Sequence, residues 1–210
     1  MILEAKDVSY FYKTQKEKQI LDHVNAGFSC GKLYAILGPS GSGKTTFLSL
    51  LAGLDIPTGG EICYNGKTVG ARNLREHRRC HISLVFQSYN LIDYLTVTEN
   101  VRLGGKKDPG KLLEGIGIGP EFWNRNVLQL SGGQQQRVAI ARALASEARI
   151  LLADEPTGNL DEVTAFEVTS LLKMIAHEEG KCVIVVTHSK ELAEEADEII
   201  RIGAASLSQP

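Results

Sequence analysis

A glycine-rich segment between an apolar run and a helical pattern most strongly limits what this chain can fold into. Residues 38–45 read GPSGSGKT, which fits the pattern G-x-x-x-x-G-K-[ST]. They follow the continuous apolar run 33–37, typical of a buried strand, and lead into 45–54, where apolar residues recur with helical spacing. Strand and helix patterns also alternate after residue 150, so the sequence predicts an α/β fold with a parallel sheet.

The residue types in this segment suit a phosphate-binding loop. Glycines let backbone N–H groups approach phosphate oxygens closely, and the following helix points its positive end at the same oxygens. Lys44 adds a charge between the β- and γ-phosphates, and the Thr45 hydroxyl can ligate Mg²⁺. We therefore expect a nucleoside triphosphate and Mg²⁺ as ligands, held by Gly38, Pro39, Ser40, Gly41, Ser42, Gly43, Lys44, Thr45 and Thr46.

A second pattern joins a buried strand to two carboxylates. Residues 150–153 are all apolar, and Asp154 and Glu155 follow directly. Because ligands bind at the carboxyl edge of open α/β sheets, both carboxylates should face the glycine loop. We expect Asp154 to hold Mg²⁺ and Glu155 to polarise an attacking water near the γ-phosphate. A solvated acidic turn is the alternative interpretation, and the phosphate loop in the same chain disfavours it.

A third segment, residues 130–137, reads LSGGQQQR. Ser131 suits the N-cap position of a helix. Gly132 and Gly133 have no side chains, so they leave the backbone N–H groups at the helix start exposed. Such a helix start is a second anion site, able to meet the γ-phosphate of a nucleotide held elsewhere. Capping alone would explain Ser131, but it would explain neither the paired glycines nor the glutamine run.

Composition and charge argue against several classes of protein. The 210 residues are 43% hydrophobic and 23% charged, which is ordinary for a globular chain. A net charge of −2 gives no general attraction to nucleic acid, and we expect no nucleic-acid partner. No apolar run approaches the ~20 residues of a spanning helix, and no signal-peptide core is present, so we expect a cytosolic chain. The four cysteines have no C-x-x-C pair and are interpreted as idle thiols.

These motifs, in this order, resemble those of the ATP-binding subunits of ABC transporters over about residues 2–202. The resemblance implies an ATPase with the ABC form of the P-loop NTPase fold. Residues 1–210 would form one ATP-binding domain, with a mostly parallel core sheet, an antiparallel β subdomain and a small helical subdomain at about 88–147. The matched motifs are Walker A at 38–45, the Q-loop at Gln87, the LSGGQ signature at 130–134, Walker B at 150–155, the D-loop at 158–161 and the switch histidine His188.

The resemblance also assigns roles across a pair of subunits. In this family two cassettes pair head to tail, each ATP lying between Walker A of one copy and the signature of the other. A second ATP-binding subunit, most simply an identical one, is therefore implied. Ser131 and Gly133 would contact nucleotide across that interface, and Gly132, Gln134 and Asp161 are further expected nucleotide-binding residues.

Further roles concern catalysis, metal and adenine. Glu155, His188 and Gln87 would be catalytic, and Gln87 would join Thr45 and Asp154 around Mg²⁺ while relaying the nucleotide state to a membrane partner. Tyr12 fits best as the aromatic residue that stacks on adenine. Tyr10 and Phe11 are close enough in sequence to compete with it.

The subfamily is a finer inference. Residues 154–161, DEPTGNLD, resemble the lipoprotein-release, macrolide-export and cell-division ATPases. That implies a separate transmembrane permease, contact with the cytoplasmic face of the membrane through it, and export of lipids, lipoproteins, peptides or antibiotics. A mechanical module that controls a cell-envelope enzyme is the alternative. Residues 101–130 depart from the family in being short and glycine-rich, which leaves the docking of the permease open, as it does the cargo and whether the dimer is homomeric.

Overall fold

Two β-sheets organise the chain in a computed structural model that describes residues 1–12, 19–203 and 207–208. One is an antiparallel sheet of four strands and the other a mostly parallel sheet of six. The strands are β1 (Leu3–Phe11), β2 (Gln19–Phe28), β3 (Lys32–Leu37), β4 (Gly59–Tyr64), β5 (Lys67–Val69), β6 (Ile82–Val85), β7 (Ile150–Asp154), β8 (Cys182–Val186), β9 (Glu198–Ile202) and β10 (Leu207–Ser208).

The larger sheet has the strand order β10-β9-β3-β8-β7-β6, and all its pairings are parallel except β9 with β10. Apolar clusters cover both faces of β3, with Tyr34 and Ile36 in one cluster and Leu33 and Ala35 in the other. This two-sided burial explains why the run 33–37 is continuously apolar rather than alternating. The predicted mostly parallel core sheet is confirmed.

The smaller sheet has the order β2-β1-β4-β5 and packs against one face of the larger one. Its β4–β5 hairpin turns at Asn65 and Gly66, whose φ values of 47° and 73° suit the predicted two-residue turn. Strand β1 is an element that the hydrophobic pattern did not predict, because its register against β2 shifts three times and interrupts the alternation. The predicted antiparallel subdomain is confirmed.

Helices cover the larger sheet and fill the segment between β6 and β7. They are α1 (Lys44–Leu51), α2 (Leu74–Glu76), which continues as a π-helical turn (His77–His81), α3 (Val97–Arg102), α4 (Pro109–Gly115), α5 (Gly132–Leu144), α6 (Glu162–His177) and α7 (Lys190–Glu194), with 3₁₀ turns at Pro120–Phe122 and Val127–Gln129. Helix α1 ends before the predicted Leu54, because Gly53 adopts a left-handed φ of 67°. None of the described helices combines the length and apolar character needed to cross a membrane.

The segment between β6 and β7 contains α3, α4, α5 and the two 3₁₀ turns, together with one β-bridge between Thr96 and Asn126. Glycines allow its helices to pack closely. A Cβ on Gly104 would lie 1.7 Å from the carbonyl oxygen of Arg142, and one on Gly105 would lie 2.0 Å from that of Ala145. The end of α3 therefore rests directly on the backbone of α5.

Candidate active site

The glycine loop between β3 and α1 has the backbone shape that the motif demands. Gly41 and Gly43 have φ values of 77° and 93°, a region that side chains with a Cβ rarely adopt. A Cβ on Gly38 would lie 2.4 Å from the carbonyl oxygen of Ile202, so this position also excludes a side chain. The backbone is thus left-handed at Gly43, the residue directly before α1. A loop of this shape is expected to place a bound anion at the N-terminus of the helix.

Lys44 places a buried positive charge inside this loop. The side chain is only 9% exposed, and Nζ donates hydrogen bonds to the carbonyl oxygens of Gly38 at 2.8 Å and Pro39 at 3.1 Å. It forms no ion pair with any residue that the structure describes. The hydroxyl of Ser42 is also buried and has no hydrogen-bond partner among the residues that the structure describes. A buried cation without a carboxylate and an orphaned hydroxyl both fit a site built for an anion.

Asp154 and Thr45 meet at the carboxyl edge of the sheet. The Thr45 hydroxyl donates to Oδ1 of Asp154 at 3.3 Å, although 109 residues separate them. Burial raises the pKa of Asp154, the hydrogen bond from Thr45 opposes this, and the nearby charge of Glu155 adds to the rise. A divalent cation would relieve the cost of burying this carboxylate.

These donors suit Mg²⁺ rather than a metal held by protein alone. Within the described part of the chain, no cluster of three His, Cys, Asp or Glu side chains could bind a metal ion. Mg²⁺ is typically held by one or two carboxylates, waters and substrate phosphates. The hydroxyl and carboxylate of Thr45 and Asp154, next to an anion cradle, fit that description.

Glu155 is held in a constrained position beside His188. Its backbone is left-handed, with φ 47°, and its N–H donates to the carbonyl oxygen of Val186 at 2.8 Å. Its Oε2 lies 2.9 Å from Nδ1 of His188 and accepts the backbone N–H of His188 at 3.3 Å. A left-handed non-glycine residue of this kind carries strain that the surrounding contacts must maintain. The carboxylate borders a groove of about 1080 Å³ that runs between α6 and α7.

Gln87 lies on the loop that follows β6, and β6 pairs with β7, the strand that ends at Asp154. The side chain of Gln87 is exposed, and its backbone carbonyl accepts a hydrogen bond from Nδ2 of Asn159 at 3.3 Å. Gly158 allows the close approach, since a Cβ there would lie 3.3 Å from Nε2 of Gln87. Gln87 thus contacts the segment that follows Glu155, through a hydrogen bond from Asn159 that the motif at 158–161 does not by itself predict.

The three aromatic candidates for adenine differ in exposure. Tyr12 is 43% exposed, and its hydroxyl lies 2.9 Å from Oγ1 of Thr46 on α1. Tyr10 is buried and donates its hydroxyl to Asp55, and burial together with Asp55 raises its pKa to about 12. Phe11 is half-buried. Tyr12 alone of the three combines an exposed ring with contact to the phosphate-loop helix.

Ser131 begins α5 as the predicted N-cap. Its hydroxyl accepts the N–H of Gln134 at 3.3 Å while Oε1 of Gln134 accepts the N–H of Ser131 at 3.0 Å, which completes a capping box. Asp161 caps α6 by accepting the N–H of Thr164 at 3.0 Å. Gly133 packs against this second helix start, because a Cβ there would lie 2.1 Å from Cγ2 of Thr164. These two helix starts therefore lie against each other.

The structure divides the predicted site into two groups. The phosphate loop, Thr45 with Asp154, and Glu155 with His188 lie along one edge of the larger sheet. Ser131, Gly132, Gly133 and Gln134 lie instead at the start of α5, and among the described contacts none of them hydrogen-bonds to residues 38–46. Ser131 itself is exposed.

Known proteins resemble this chain in sequence and in fold. The chain matches the family model described as ABC transporter over residues 21–158. It is 43% identical to an uncharacterised ABC transporter ATP-binding protein of Bacillus subtilis, YclH, over 99% of this chain and 96% of that protein. It is 40% identical to the lipoprotein-releasing system ATP-binding protein LolD 1 of Rhodopseudomonas palustris, over 92% of each chain. The dimeric, post-hydrolysis structure of the cassette MJ0796 bound to ADP and Pi aligns with a TM-score of 0.86 and 37% identity, over 99% of this chain and 98% of that one.

The family model covers well over half of the chain, and the solved cassette matches its architecture almost end to end. The glycine loop with its buried lysine, and the carboxylates of Asp154 and Glu155 at and just after the end of β7, have the residue types expected of a nucleotide hydrolysis site. The predicted resemblance, fold and ATPase activity are confirmed. The chain therefore belongs to the ABC transporter family, as an ATP-binding ATPase domain.

Proposed function

We propose that this domain binds Mg²⁺–ATP in the loop 38–46 and hydrolyses it after a second copy closes over the nucleotide. The observation that carries the proposal is the buried ammonium of Lys44, which donates only to backbone carbonyls and has no carboxylate partner among the described residues. An anion with several negative oxygens would compensate this charge. Triphosphate suits it best, because a left-handed glycine loop followed by a helix start would present several backbone N–H groups to the same phosphate oxygens.

The roles of the remaining residues follow from their contacts. Thr45 and Asp154 would hold Mg²⁺, with Gln87 as a third ligand or as a ligand of its water. The metal, when bound, neutralises charge on the phosphate oxygens. Glu155 would accept a proton from the attacking water, and His188 would hold that carboxylate in place and contact the γ-phosphate.

The start of α5 would act on the nucleotide of the partner copy. This helix start would bind an anion through exposed Ser131 and the backbone N–H groups of Gly132 and Gly133. Among the described hydrogen bonds, no carboxylate of the same chain bonds to these three residues. Gln134 and Asp161 would line the same interface, and the ring of Tyr12 would stack on adenine. The dimeric form of the similar cassette MJ0796 supports a symmetric pair with two composite sites.

Mixing two inactive variants tests the arrangement across subunits. Lys44→Ala should weaken ATP binding about 10- to 150-fold, since it removes charged hydrogen bonds worth about 1.5–3 kcal/mol. Ser131→Arg should preserve ATP binding but block closure. A mixture of the two should regain one intact composite site and with it measurable hydrolysis. Lack of rescue, in a mixture shown to contain heterodimers by differently tagged copies, would contradict the proposal.

Trapping the closed dimer tests the role of Glu155. Glu155→Gln should keep ATP affinity, abolish turnover and elute as a dimer on gel filtration with ATP and Mg²⁺. ADP, which lacks the γ-phosphate, should leave it monomeric. Hydrolysis by this variant at the wild-type rate would rule out Glu155 as the base.

We further propose that the domain is peripheral at the cytoplasmic face of the membrane, where it drives a separate permease that exports lipids, lipoproteins, peptides or antibiotics. Similarity to a lipoprotein-releasing ATP-binding protein supports this class of cargo. Control of a cell-envelope enzyme is the second candidate, since the same ATP cycle can deliver a mechanical signal. Purifying the chain with its membrane partner and reconstituting both in vesicles separates the two: export predicts ATP-dependent movement of cargo, whereas signalling predicts none.

A further inference from the structure

Arg142 lies on α5, the helix that begins at Ser131, and its side chain forms two hydrogen bonds to the loop that follows Gln87. Its two terminal nitrogens donate to consecutive backbone carbonyls, one to Asn90 at 2.5 Å and the other to Tyr89 at 2.8 Å. The guanidinium is half-buried and forms no ion pair in the described part of the chain. A planar guanidinium has donors in a fixed fork, so this pair of contacts fixes both the position and the orientation of the loop.

The loop is strained at the two residues that Arg142 holds. Tyr89 and Asn90 have φ values of 60° and 50°, and a left-handed conformation is an outlier for a bulky residue such as tyrosine. Such a conformation persists only when surrounding contacts require it. The carbonyls of these residues are what Arg142 binds, so its side chain stabilises the strained backbone directly.

A second anchor joins the same loop to α3. Asn100 is fully buried, its Oδ1 accepts the N–H of Ile92 at 2.7 Å, and its Nδ2 donates to the carbonyl oxygen of Ile92 at 3.2 Å. The end of α3 in turn rests on the backbone of Arg142 through Gly104. The loop from residue 88 to 92 is therefore attached to the helical segment twice, through Arg142 on α5 and through Asn100 on α3.

The opposite end of the loop is attached to the sheet edge. The carbonyl of Gln87 accepts from Asn159, which follows the Glu155 turn. The hydroxyl of Tyr89 lies near the start of α5, 3.1 Å from where a Cβ on Gly132 would be. One short stretch thus joins the residues after the catalytic carboxylate to the helix whose start faces a partner copy.

We propose that Arg142 is a positioning residue that makes the Gln87 loop and the helix beginning at Ser131 move as one unit. A shift of Gln87 toward or away from the nucleotide would be carried through the carbonyls of Tyr89 and Asn90 into α5, and would change how Ser131 meets the partner's γ-phosphate. The proposal rests on the role proposed above for Gln87. It concerns coupling, so Arg142 itself need not touch nucleotide.

The test uses Arg142→Lys, which keeps the charge but loses the planar fork. We expect ATP affinity by calorimetry within about twofold of wild type, because the loop 38–46 is untouched, and kcat reduced roughly 2- to 30-fold, the range seen when coupling residues are changed. Hydrogen–deuterium exchange in nucleotide-free protein should rise at residues 87–92. The double variant with Gln87→Ala should lose no more activity than the more impaired single variant.

Arg125→Lys is the matched control. Arg125 also donates to a backbone carbonyl in the helical segment, that of Glu121 at 3.1 Å, and lies over the ring of Phe122. It does not contact the Gln87 loop, so its substitution should leave kcat and exchange at 87–92 unchanged even if the melting temperature falls.

The outcomes are distinguishable. If Gln87→Ala hydrolyses ATP normally, the proposed role of Gln87 fails and the coupling inference fails with it. If Gln87→Ala is impaired but Arg142→Lys is not, the inference about Arg142 alone is overturned. If Arg142→Lys does not fold, hydrogen–deuterium exchange is measured instead in Glu155→Gln with and without ATP. The coupling inference expects the exchange protection of residues 87–92 and 131–136 to change together when ATP is added. Independent changes in the two segments would overturn the inference.

Discussion

Nδ1 of His188 lies 2.9 Å from Oε2 of Glu155, and the same oxygen accepts the backbone N–H of His188. One residue therefore holds the carboxylate with both its ring and its backbone. Glu155 also has a left-handed backbone, so the turn sets the direction in which its side chain leaves the main chain. His188 then fixes the position of the carboxylate at the end of that side chain. This leaves the opposite ring nitrogen, Nε2, available to a ligand that approaches from the exposed side of the imidazole.

His188→Ala should therefore impair hydrolysis far more than binding. The backbone contact remains, but the carboxylate loses its side-chain partner, and misplacement of a catalytic group by about 1 Å costs on the order of 100-fold in rate. We expect that loss in kcat with ATP affinity changed only a few-fold, measured by steady-state kinetics and calorimetry. His177→Ala removes another His–carboxylate contact, with Asp197 at 2.9 Å, and should leave kcat unchanged. Equal effects of the two substitutions would contradict this account.

Gly133→Ala should disturb the interface between the starts of α5 and α6. The added Cβ would meet Cγ2 of Thr164, so the start of α5 must shift outward. We expect ATP affinity to be kept but the ATP-dependent dimer of Glu155→Gln to be weakened on gel filtration. Thr164→Ser removes that methyl group and keeps the hydroxyl that bonds to Asp161, so the double variant should recover dimerisation. If it does not, steric displacement at this contact is the wrong explanation.

Tyr12→Ala should weaken ATP binding through lost stacking. Stacking of a base on an aromatic side chain contributes about 1–3 kcal/mol, which corresponds to roughly 5- to 150-fold in the dissociation constant. Tyr12→Phe keeps the ring and should bind nearly normally, although it loses the contact with Thr46. Tyr10→Phe loses the hydrogen bond to Asp55 and should lower the melting temperature rather than the affinity. Calorimetry with ATP measures the dissociation constant of each variant. A dissociation constant unchanged in Tyr12→Ala would contradict stacking on Tyr12 and would favour Phe11 as the stacking residue.

Stability should fall below about neutral pH because of the π-helical turn. His77 is buried, with Nε2 3.0 Å from the carbonyl oxygen of Leu51 and Nδ1 3.4 Å from Nδ1 of His81. Burial lowers the pKa of His77 from its usual 6.5, and it lowers that of His81 as well. The folded state therefore resists protonation that the unfolded chain accepts. Stability is complete above the usual pKa and declines as pH falls from there toward the lowered folded value.

His77→Gln tests this pH dependence. Glutamine can still donate to Leu51 but does not titrate, so the drop in melting temperature between about pH 7.5 and 5.5 should be smaller than in wild type. The variant should also be less stable at the higher pH, where the native histidine fits its site. An identical drop in both proteins would place the acid sensitivity elsewhere, for example at His81, which stacks on Tyr64 with ring centroids 3.8 Å apart.

Helix boundaries show where sequence patterns were sufficient. Ser131 with Gln134, and Asp161 before α6, are capping residues whose partners lie three residues away, so the local sequence contains the whole interaction. The left-handed Gly41 and Gly43 were likewise predictable, because only glycine adopts that backbone readily. The predicted nucleotide contacts of these residues stay predictions.

The sequence by itself determined the alternation of strands and helices after residue 150, the glycine loop and the cap at Ser131, because each depends on neighbouring residues and on φ and ψ preferences. Tertiary structure alone decided which distant groups meet. Thr45 reaches Asp154 across 109 residues and Arg142 reaches Tyr89 across 53, and no local pattern indicates which residues Arg142 and Asn159 contact. Such contacts depend on how the sheet edge and the helical segment pack together, and periodicity and spacing carry no information about that packing.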